Sequence, residues 1–459
     1  MSRQISAEHD RVLEFPPKVD DWVGPDHPAR FIREVLEELD LEEMGFKVRT
    51  SNVGAPNYSP RLLLAVFLYG YLRGIRSLRK LEMACCEVMG FIWVTGNHPP
   101  DHNTLWRFWS DNRKAIKELF RTTVRIAERS GLLGLTLQAV DGTKIAASVS
   151  RWGSWREEDL VAVIEEFGRG LEEAEVLEKW KYKLPKDLKE EGRLKERVQE
   201  ALKKVNSEGA SRISPKDCDA RMMKTRDGAV VMGYNAQAVA DSSQGIIVAS
   251  DVTNEESDYG QLHKMAHAAR ENVGKGCQET LADGGYDDGE QLWLCQEAGI
   301  SVLVSPDRVK KGKYAKKHFR FDRERDVCVC PLGQELKYER TRQPRKGQPE
   351  LRVYRCRRKD CPSRGECSGE KRGRSIEIGC YQEALERQEA RREGGGRELL
   401  KQRGRIIEHP FALIKERLGF RRLSHRGLEK VKAQWQFVCA VLNLWKMQRA
   451  WAAGELKVT

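Results

Sequence analysis

Hydrophobic positions in the first 130 residues recur at helical spacing, and short turn signals interrupt them. The pair Ser59-Pro60 predicts a helix start, because proline is favoured at the first helical position, and an apolar run follows it. Gly74 and Gly90 are expected to end successive helices. The predicted helices cover residues 60–72 and 77–89, with a third that starts after Asp101 and continues through Trp109.

Three short helices with tight breaks allow two interpretations of residues 1–130. In the first, they form a helix-turn-helix domain whose last helix enters a DNA groove. In the second, they form a helical cap on a catalytic domain, and Trp106, Phe108 and Trp109 belong to its core. The pattern alone does not decide between a DNA-binding and a packing role.

From Leu132 the pattern changes to short apolar runs bounded by turn residues. The first of these runs ends at Asp141, and a later one leads into Asp283 and a helix. The predicted strands are residues 135–140, 230–240, 245–252, 279–282 and 300–304, of which the second and third form a hairpin. Strands followed by a strand–helix–strand unit predict a mixed α/β fold, with helices packed on a mixed sheet.

Two segments interrupt this predicted core. Residues 156–205 are charged and rich in helix formers, which predicts an inserted helical hairpin with solvated faces. Residues 311–396 are basic and cysteine-rich, and they end at the predicted hinge Gly394-Gly-Gly396. Helices are expected again at 399–418 and 428–451, so the core would comprise residues 131–310 and 397–459.

Composition adds a partner class and a compartment. The 459-residue chain has 81 Lys and Arg against 69 Asp and Glu, a net charge of +12, and such a basic protein most often binds nucleic acid. The alternative is a protein that is merely rich in basic residues. We expect no membrane span and no signal peptide, because neither kind of apolar stretch occurs, and hence a cytoplasmic location. In that compartment the 12 cysteines are expected to be thiols or metal ligands.

Three acidic residues occur where they could meet. Asp141 and Asp283 each follow a predicted strand and precede glycine, a context that singly indicates only a turn. Glu408 lies among apolar residues, as if buried, and Lys415 seven residues on would share its helix face. Three clustered carboxylates repel one another without cations, so we expect them to bind Mg²⁺ or Mn²⁺. A pair of such ions supports phosphodiester cleavage and strand transfer.

The 311–396 segment offers a second candidate metal site. Four thiolates bind tetrahedral Zn²⁺ well, and the best-placed set is Cys330, Cys356, Cys361 and Cys367. Cys328 is set aside, because it and Cys330 would point to opposite sides of an extended segment. Since the spacing is looser than in a zinc ribbon, reduced cysteines without metal are the alternative.

As a set, these motifs resemble the DDE transposases of bacterial insertion sequences. The resemblance spans roughly residues 15–450 and rests on Ala139-Val-Asp-Gly-Thr-Lys144, Gly233-Tyr-Asn-Ala-Gln237, Leu281-Ala-Asp-Gly-Gly-Tyr286 and Ile407-Glu-His-Pro-Phe411. It implies a ribonuclease-H-like core with an N-terminal helical domain and two insertions. It also implies a metal-binding catalytic triad of Asp141, Asp283 and Glu408.

The same resemblance implies double-stranded DNA as the partner, both transposon ends and target, bound by a homodimer or higher oligomer. Lys415 would contact a phosphate near the scissile bond, and we expect Arg403, Arg405 and Lys144 to bind phosphates as well. The alternatives are a DNA-binding regulator without catalysis and a nuclease that never joins strands.

Two departures from the family pattern surround Glu408. Related transposases often carry tyrosine and arginine where this chain has Lys401 and Gly404. Arg405, about 60° from Glu408 on a helix, is expected to substitute for the missing arginine. Pro410 is expected to kink or start a helix, because it lacks a backbone donor.

Overall fold

The computed structural model describes residues 18–47, 57–169, 172–180, 194–306, 314, 316–343, 350–368 and 373–455. The extreme N-terminus, the middle of the first predicted insertion and the start of the second lie outside these residues. The N-terminal helices are α1 Pro28–Glu37, α2 Pro60–Leu72, α3 Leu78–Glu87, α4 Met89–Thr95, α5 His102–Asp111 and α6 Ala115–Arg129.

The predicted start of α2 is confirmed, since the Ser59 side chain accepts a hydrogen bond from the Arg61 backbone amide. The predicted end at Gly90 is wrong. Extended backbone at Val88 ends α3, and Gly90 lies in α4. Gly90 packs so closely against the Tyr69 side chain that no Cβ would fit there, so its role is close packing.

The main sheet has six strands, in the order β2-β3-β1-β5-β6 with β4 also paired to β3. These strands are β1 Leu137–Ala146, β2 Arg221–Lys224, β3 Val230–Asp241, β4 Ile247–Thr253, β5 Glu279–Ala282 and β6 Val302–Val304. The central strand β1 is antiparallel to β3 and parallel to β5, and β5 is parallel to β6. With α10 Leu262–Val273 and α11 Gly289–Glu297, this arrangement confirms the predicted mixed, ribonuclease-H-like fold.

The N-terminal helices and the sheet share one hydrophobic core. Its centre is α16 Leu428–Ala452, whose Phe437 ring meets Trp109 of α5 at 5.1 Å and Tyr71 of α2 at 5.0 Å. Phe108 and Trp109 are buried as the cap interpretation expects, but Trp106 is 60% exposed and is not a core residue. The N-terminal helices α2 and α5 therefore pack on α16 through this aromatic cluster.

Two smaller hydrophobic clusters lie in the insertions. The first insertion contains α7 Glu157–Gly168, α8 Glu173–Lys179 and α9 Leu194–Glu208, which have their own core. The second contains a five-stranded antiparallel sheet that the sequence did not predict. Its elements are β7 Arg320–Asp322, β8 Val327–Val329, β9 Glu335–Arg342, β10 Leu351–Arg355, α12 Arg364–Cys367 and β11 Ser375–Gly379.

The chain returns to the core through a nearly continuous helical path. It consists of α13 Gln382–Arg391, a π-helical turn Arg392–Gly396, α14 Arg397–Leu400, α15 Arg403–Ala412 and a second π-helical turn Leu413–Arg417. The predicted glycine hinge lies inside this path, where Gly395 takes a φ of +105°. Pro410 neither starts nor ends α15 but lies within it, one turn before the wider π-helical turn.

Candidate active site

Asp141 and Asp283 lie at the same level of the sheet. Ala139 of β1 pairs with Leu281 of β5 as the last pair of this parallel ladder, and each aspartate lies two residues beyond it, Asp141 within β1 and Asp283 just past β5. The two carboxyl groups are near enough for the charge of Asp283 to raise the pKa of Asp141. The expectation that the strand ends at Asp141 is wrong, because β1 continues beside β3 as far as Ala146. Asp283 does follow its strand directly, and its carboxylate accepts a hydrogen bond of 2.9 Å from the Gly285 amide.

The carboxylate of Asp141 is held in a largely desolvated, charged setting. Burial raises its pKa to about 6, an effect that Arg403 opposes and the neighbouring Asp283 increases. Arg403 Nη1 lies 2.8 Å from Asp141 Oδ2, and the Gly142 amide donates to Asp141 Oδ1 at 2.8 Å. Asp141 therefore faces one cation, Arg403, and one like charge, Asp283.

A second basic side chain reaches the same face of β1. Lys415 Nζ donates a hydrogen bond of 2.6 Å to Thr143 Oγ1, and Thr143 shares a strand face with Asp141 because side chains alternate. Burial lowers the pKa of Lys415, Arg421 and Arg226 lower it further, and Asp227 and Asp141 oppose the shift. Arg403 and Lys415 thus place two positive charges along the strand that carries Asp141.

Glu408 lies on α15 between these two basic residues, but it is not buried. Its side chain is 49% exposed, and its carboxylate pairs with Arg226 at 3.4 Å. The buried setting inferred from its apolar neighbours is therefore wrong, because Ile406 and Ile407 turn inward while Glu408 faces out. Arg226 is 87% exposed, so this ion pair adds little stability and leaves the carboxylate free to exchange partners.

The remaining predicted DNA contacts lie in different places. Arg405 lines a cleft of about 480 Å³ that is also lined by His409, Lys446 and Arg449. Arg403, rather than Arg405, is the arginine that pairs with the carboxylate of Asp141. Lys144 turns toward Asp258, with its Nζ 3.5 Å from Asp258 Oδ1.

A polar network that the sequence did not predict joins strand β3 to the loop that contains Asp258. Asn235 Nδ2 and Gln237 Nε2 of β3 each donate a 2.7 Å hydrogen bond to Asp258 Oδ1. The hydroxyl of Tyr286 donates to Gln237 Oε1, and the Trp435 indole donates to the Gln237 carbonyl at 2.9 Å. Asn235, Gln237 and Tyr286 stood in the recognised motifs, whereas Asp258 lies in a loop whose sequence carries no spacing pattern.

The four predicted zinc ligands belong to the small sheet and its loops. All four are partly buried, and the Gln334 amide donates to Cys330 Sγ at 3.3 Å. Burial raises the pKa of Cys367, Arg374 opposes this, and the nearby thiols of Cys330, Cys356 and Cys361 raise it further. Cys328 points instead into the buried core of the small sheet.

Among the described residues, no three His, Cys, Asp or Glu side chains are arranged to hold a metal ion. Two observations nevertheless fit a hydrated cation beside the aspartates. Asn235 Oδ1 is buried and has no hydrogen-bond partner within the described chain. A Cβ on Gly142 would lie 2.6 Å from this oxygen, so the oxygen is close to the residue that follows Asp141. Asp141 and Asp283 supply the hard oxygen ligands that Mg²⁺ and Mn²⁺ prefer, whereas Glu408 does not join them in this structure.

Two family models match segments toward the two ends of the chain. A family model described as a transposase DDE domain matches residues 329–448, which include Arg403, Glu408 and Lys415. A second, described as a transposase domain (DUF772), matches residues 17–111. Asp141 and Asp283 lie outside both matches.

No curated protein matches the chain. Within the described ranges, no helix combines the length and the apolar character that a membrane span needs. The two matches and the mixed α/β core support a DDE transposase of insertion sequences.

Proposed function

We propose that this transposase cleaves DNA at the ends of its insertion sequence and joins the freed 3′ ends to target DNA, with Asp141, Asp283 and Glu408 as its catalytic acids. The observation that carries the proposal is the placement of Asp141 in β1 beside Asp283, which directly follows the parallel neighbouring strand β5. α15 and the following turn add Arg403 and Lys415 to the same strand face. Acids and phosphate-binding cations thus meet at one place.

The residues that would hold Mg²⁺ or Mn²⁺ are the two aspartates, with Glu408 as the third ligand. When bound, such ions activate the attacking oxygen and stabilise the leaving one. In the described structure Glu408 pairs only with the exposed Arg226, so little holds its carboxylate away from the aspartates. DNA phosphates would compete for Arg226, which links DNA binding to completion of the site.

The basic side chains orient the phosphodiester. Lys415 is partly buried beside β1, where a phosphate would replace the Thr143 hydroxyl as its partner. Arg403 can form two parallel hydrogen bonds to a phosphate once it leaves Asp141. Both contacts make DNA binding depend on salt concentration.

The experiment that separates this function from its alternatives uses two DNA substrates carrying the element's terminal repeats, one intact and one cut at the 3′ end. A transposase cleaves the first in Mg²⁺ and joins the second to plasmid DNA. A plain nuclease cleaves the first without joining the second. A regulator without catalysis binds both and changes neither, and either of these two outcomes would refute the proposal.

A further inference from the structure

We propose that Asp258 is a positioning residue of the active site, which holds the strand of Asp141 and the turn of Asp283 at a fixed separation. This inference rests on the proposed metal-dependent function and adds a fourth acidic residue to the three predicted ones. Asp258 lies in the loop between β4 and α10, 19% exposed, and thus outside the strands that it connects.

The first step of the argument is the convergence of donors on one oxygen. Asp258 Oδ1 accepts from Asn235 and Gln237 at 2.7 Å each, and Lys144 Nζ lies 3.5 Å from it. Asn235 and Gln237 are fully buried on β3, and Lys144 is on β1. Asp258 is therefore fastened to both central strands of the sheet through one carboxylate oxygen.

The second step is the contact of Asp258 with the residues that follow both aspartates. A Cβ on Gly142 would lie under 3.0 Å from side-chain atoms of Asp258, Asn235 and Gln237. A Cβ on Gly285 would lie 3.7 Å from Asp258 Oδ2. Position 142 therefore requires glycine, because any side chain there would collide with Asp258 where it approaches β1.

The third step links this approach to the catalytic acids. Gly142 donates its amide to Asp141, and Gly285 donates its amide to Asp283. Asp258 packs against both of these glycines, so it supports the two backbone amides that orient the two carboxylates. Residues that orient metal ligands without contacting the ion typically change metal affinity about 10–100-fold when mutated.

The test measures Mn²⁺ binding to the DNA-free full-length protein by calorimetry, which does not depend on activity. We expect Asp258→Asn to weaken Mn²⁺ binding about 10-fold or more. The matched control is Asp251→Asn on the neighbouring strand β4, where Asp251 pairs with Lys264 and supplies none of the atoms nearest to either glycine. Asp251→Asn should bind Mn²⁺ as the wild type does.

A second variant covers the case in which Asp258→Asn does not fold. Asp258→Glu keeps the charge and the acceptor but lengthens the side chain, which displaces the carboxylate from the two glycines. If Asp258 positions the site, Asp258→Glu must also weaken Mn²⁺ binding. Wild-type affinity in Asp258→Glu would overturn the inference. If Asp141→Asn lowers the affinity and the folded Asp258 variants do not, only this inference fails. If Asp141→Asn binds Mn²⁺ normally, the proposed metal site itself is wrong and the inference falls with it.

Discussion

The guanidinium of Arg403 lies 2.8 Å from the carboxylate of Asp141, in the position where a metal-binding aspartate would meet a cation. Both side chains are less than one-fifth exposed, so solvent screens their attraction poorly. Arg403 comes from α15, which also carries Glu408. The pair therefore connects Asp141 to the helix that carries Glu408.

Under the proposed function, this relationship predicts that Arg403 competes with the metal ion for Asp141 and binds a DNA phosphate. We expect Arg403→Gln to raise the Mn²⁺ affinity of the DNA-free protein several-fold at pH 8, because Asp141 loses its cation beside Asp283. The same change should lower DNA cleavage about 10-fold or more, because a phosphate contact is lost. Calorimetry and a cleavage assay measure the two effects. Arg405→Gln is the control for metal affinity, and an unchanged affinity in Arg403→Gln would contradict the competition.

Lys415 is expected to contribute to both binding and catalysis. Lys415→Gln should reduce the dependence of log affinity on log salt concentration by about one unit, as the loss of one phosphate contact requires. It should also lower the cleavage rate about 10²–10³-fold, which is typical for the loss of one donor to the reacting group. DNA titrations at several salt concentrations and single-turnover cleavage test this. Lys275→Gln changes an exposed lysine paired with Glu128 and should alter neither quantity. An unchanged salt dependence in Lys415→Gln would remove Lys415 from the DNA contact.

His425 predicts a loss of stability in acid. Its ring stacks on Trp109 at 5.2 Å, and burial lowers its pKa from 6.5 to about 4, with smaller effects from Lys430 and Arg113. Because the folded-state pKa lies below the unfolded one, stability is complete above pH 6.5 and is lost as the pH falls toward 4. The loss reaches at most about 3 kcal/mol for this shift.

His425→Phe keeps an aromatic ring and removes the titration. We expect its free energy of unfolding, measured by urea denaturation at pH 7.5 and 4.5, to fall less in acid than that of the wild type. An equal loss of unfolding free energy in the two proteins would show that protonation of His425 does not destabilise the fold.

The cysteine cluster of the second insertion remains a predicted zinc site. We expect the protein purified without chelators to hold about one Zn²⁺ per chain, the number that four thiolates bind. Cys356→Ser and Cys367→Ser should lose it, whereas Cys328→Ser and Cys380→Ser should retain it. Elemental analysis measures the content. Zinc-free wild-type protein, or equal zinc in all variants, would favour unliganded thiols.

Sequence patterns predicted those parts of the fold in which apolar residues follow a regular period. The hairpin of β3 and β4, the strand β5 and the helix α16 all lie close to their predicted ranges. The predicted end of β1 was wrong because residues 141–144 have the composition of a turn. Pairing with β3 extends the strand through them. The small sheet was missed because its strands carry many charged residues and little apolar surface.

The candidate site was predicted as a set of residues but not as an arrangement. Motifs singled out Asp141, Asp283 and Glu408 as candidates, yet the exposure of Glu408 depends on how α15 rotates against β1. The same rotation decides that Arg403, and not Arg405, pairs with Asp141. The contacts of Asp258 could not be predicted from the sequence, because they depend on how the loop packs against strands β1 and β3. Oligomeric state, metal dependence and cellular location stay predictions.

The most direct test of the account is Mg²⁺-dependent cleavage of terminal-repeat DNA by three single variants and one control. We expect Asp141→Asn, Asp283→Asn and Glu408→Gln each to lower the single-turnover rate at least about 10³-fold while DNA binding persists, since each removes a ligand of the proposed metal site. Asp251→Asn should cleave at the wild-type rate. Wild-type cleavage by any one of the three would contradict the assignment of that residue, and cleavage by all three would refute the proposed site.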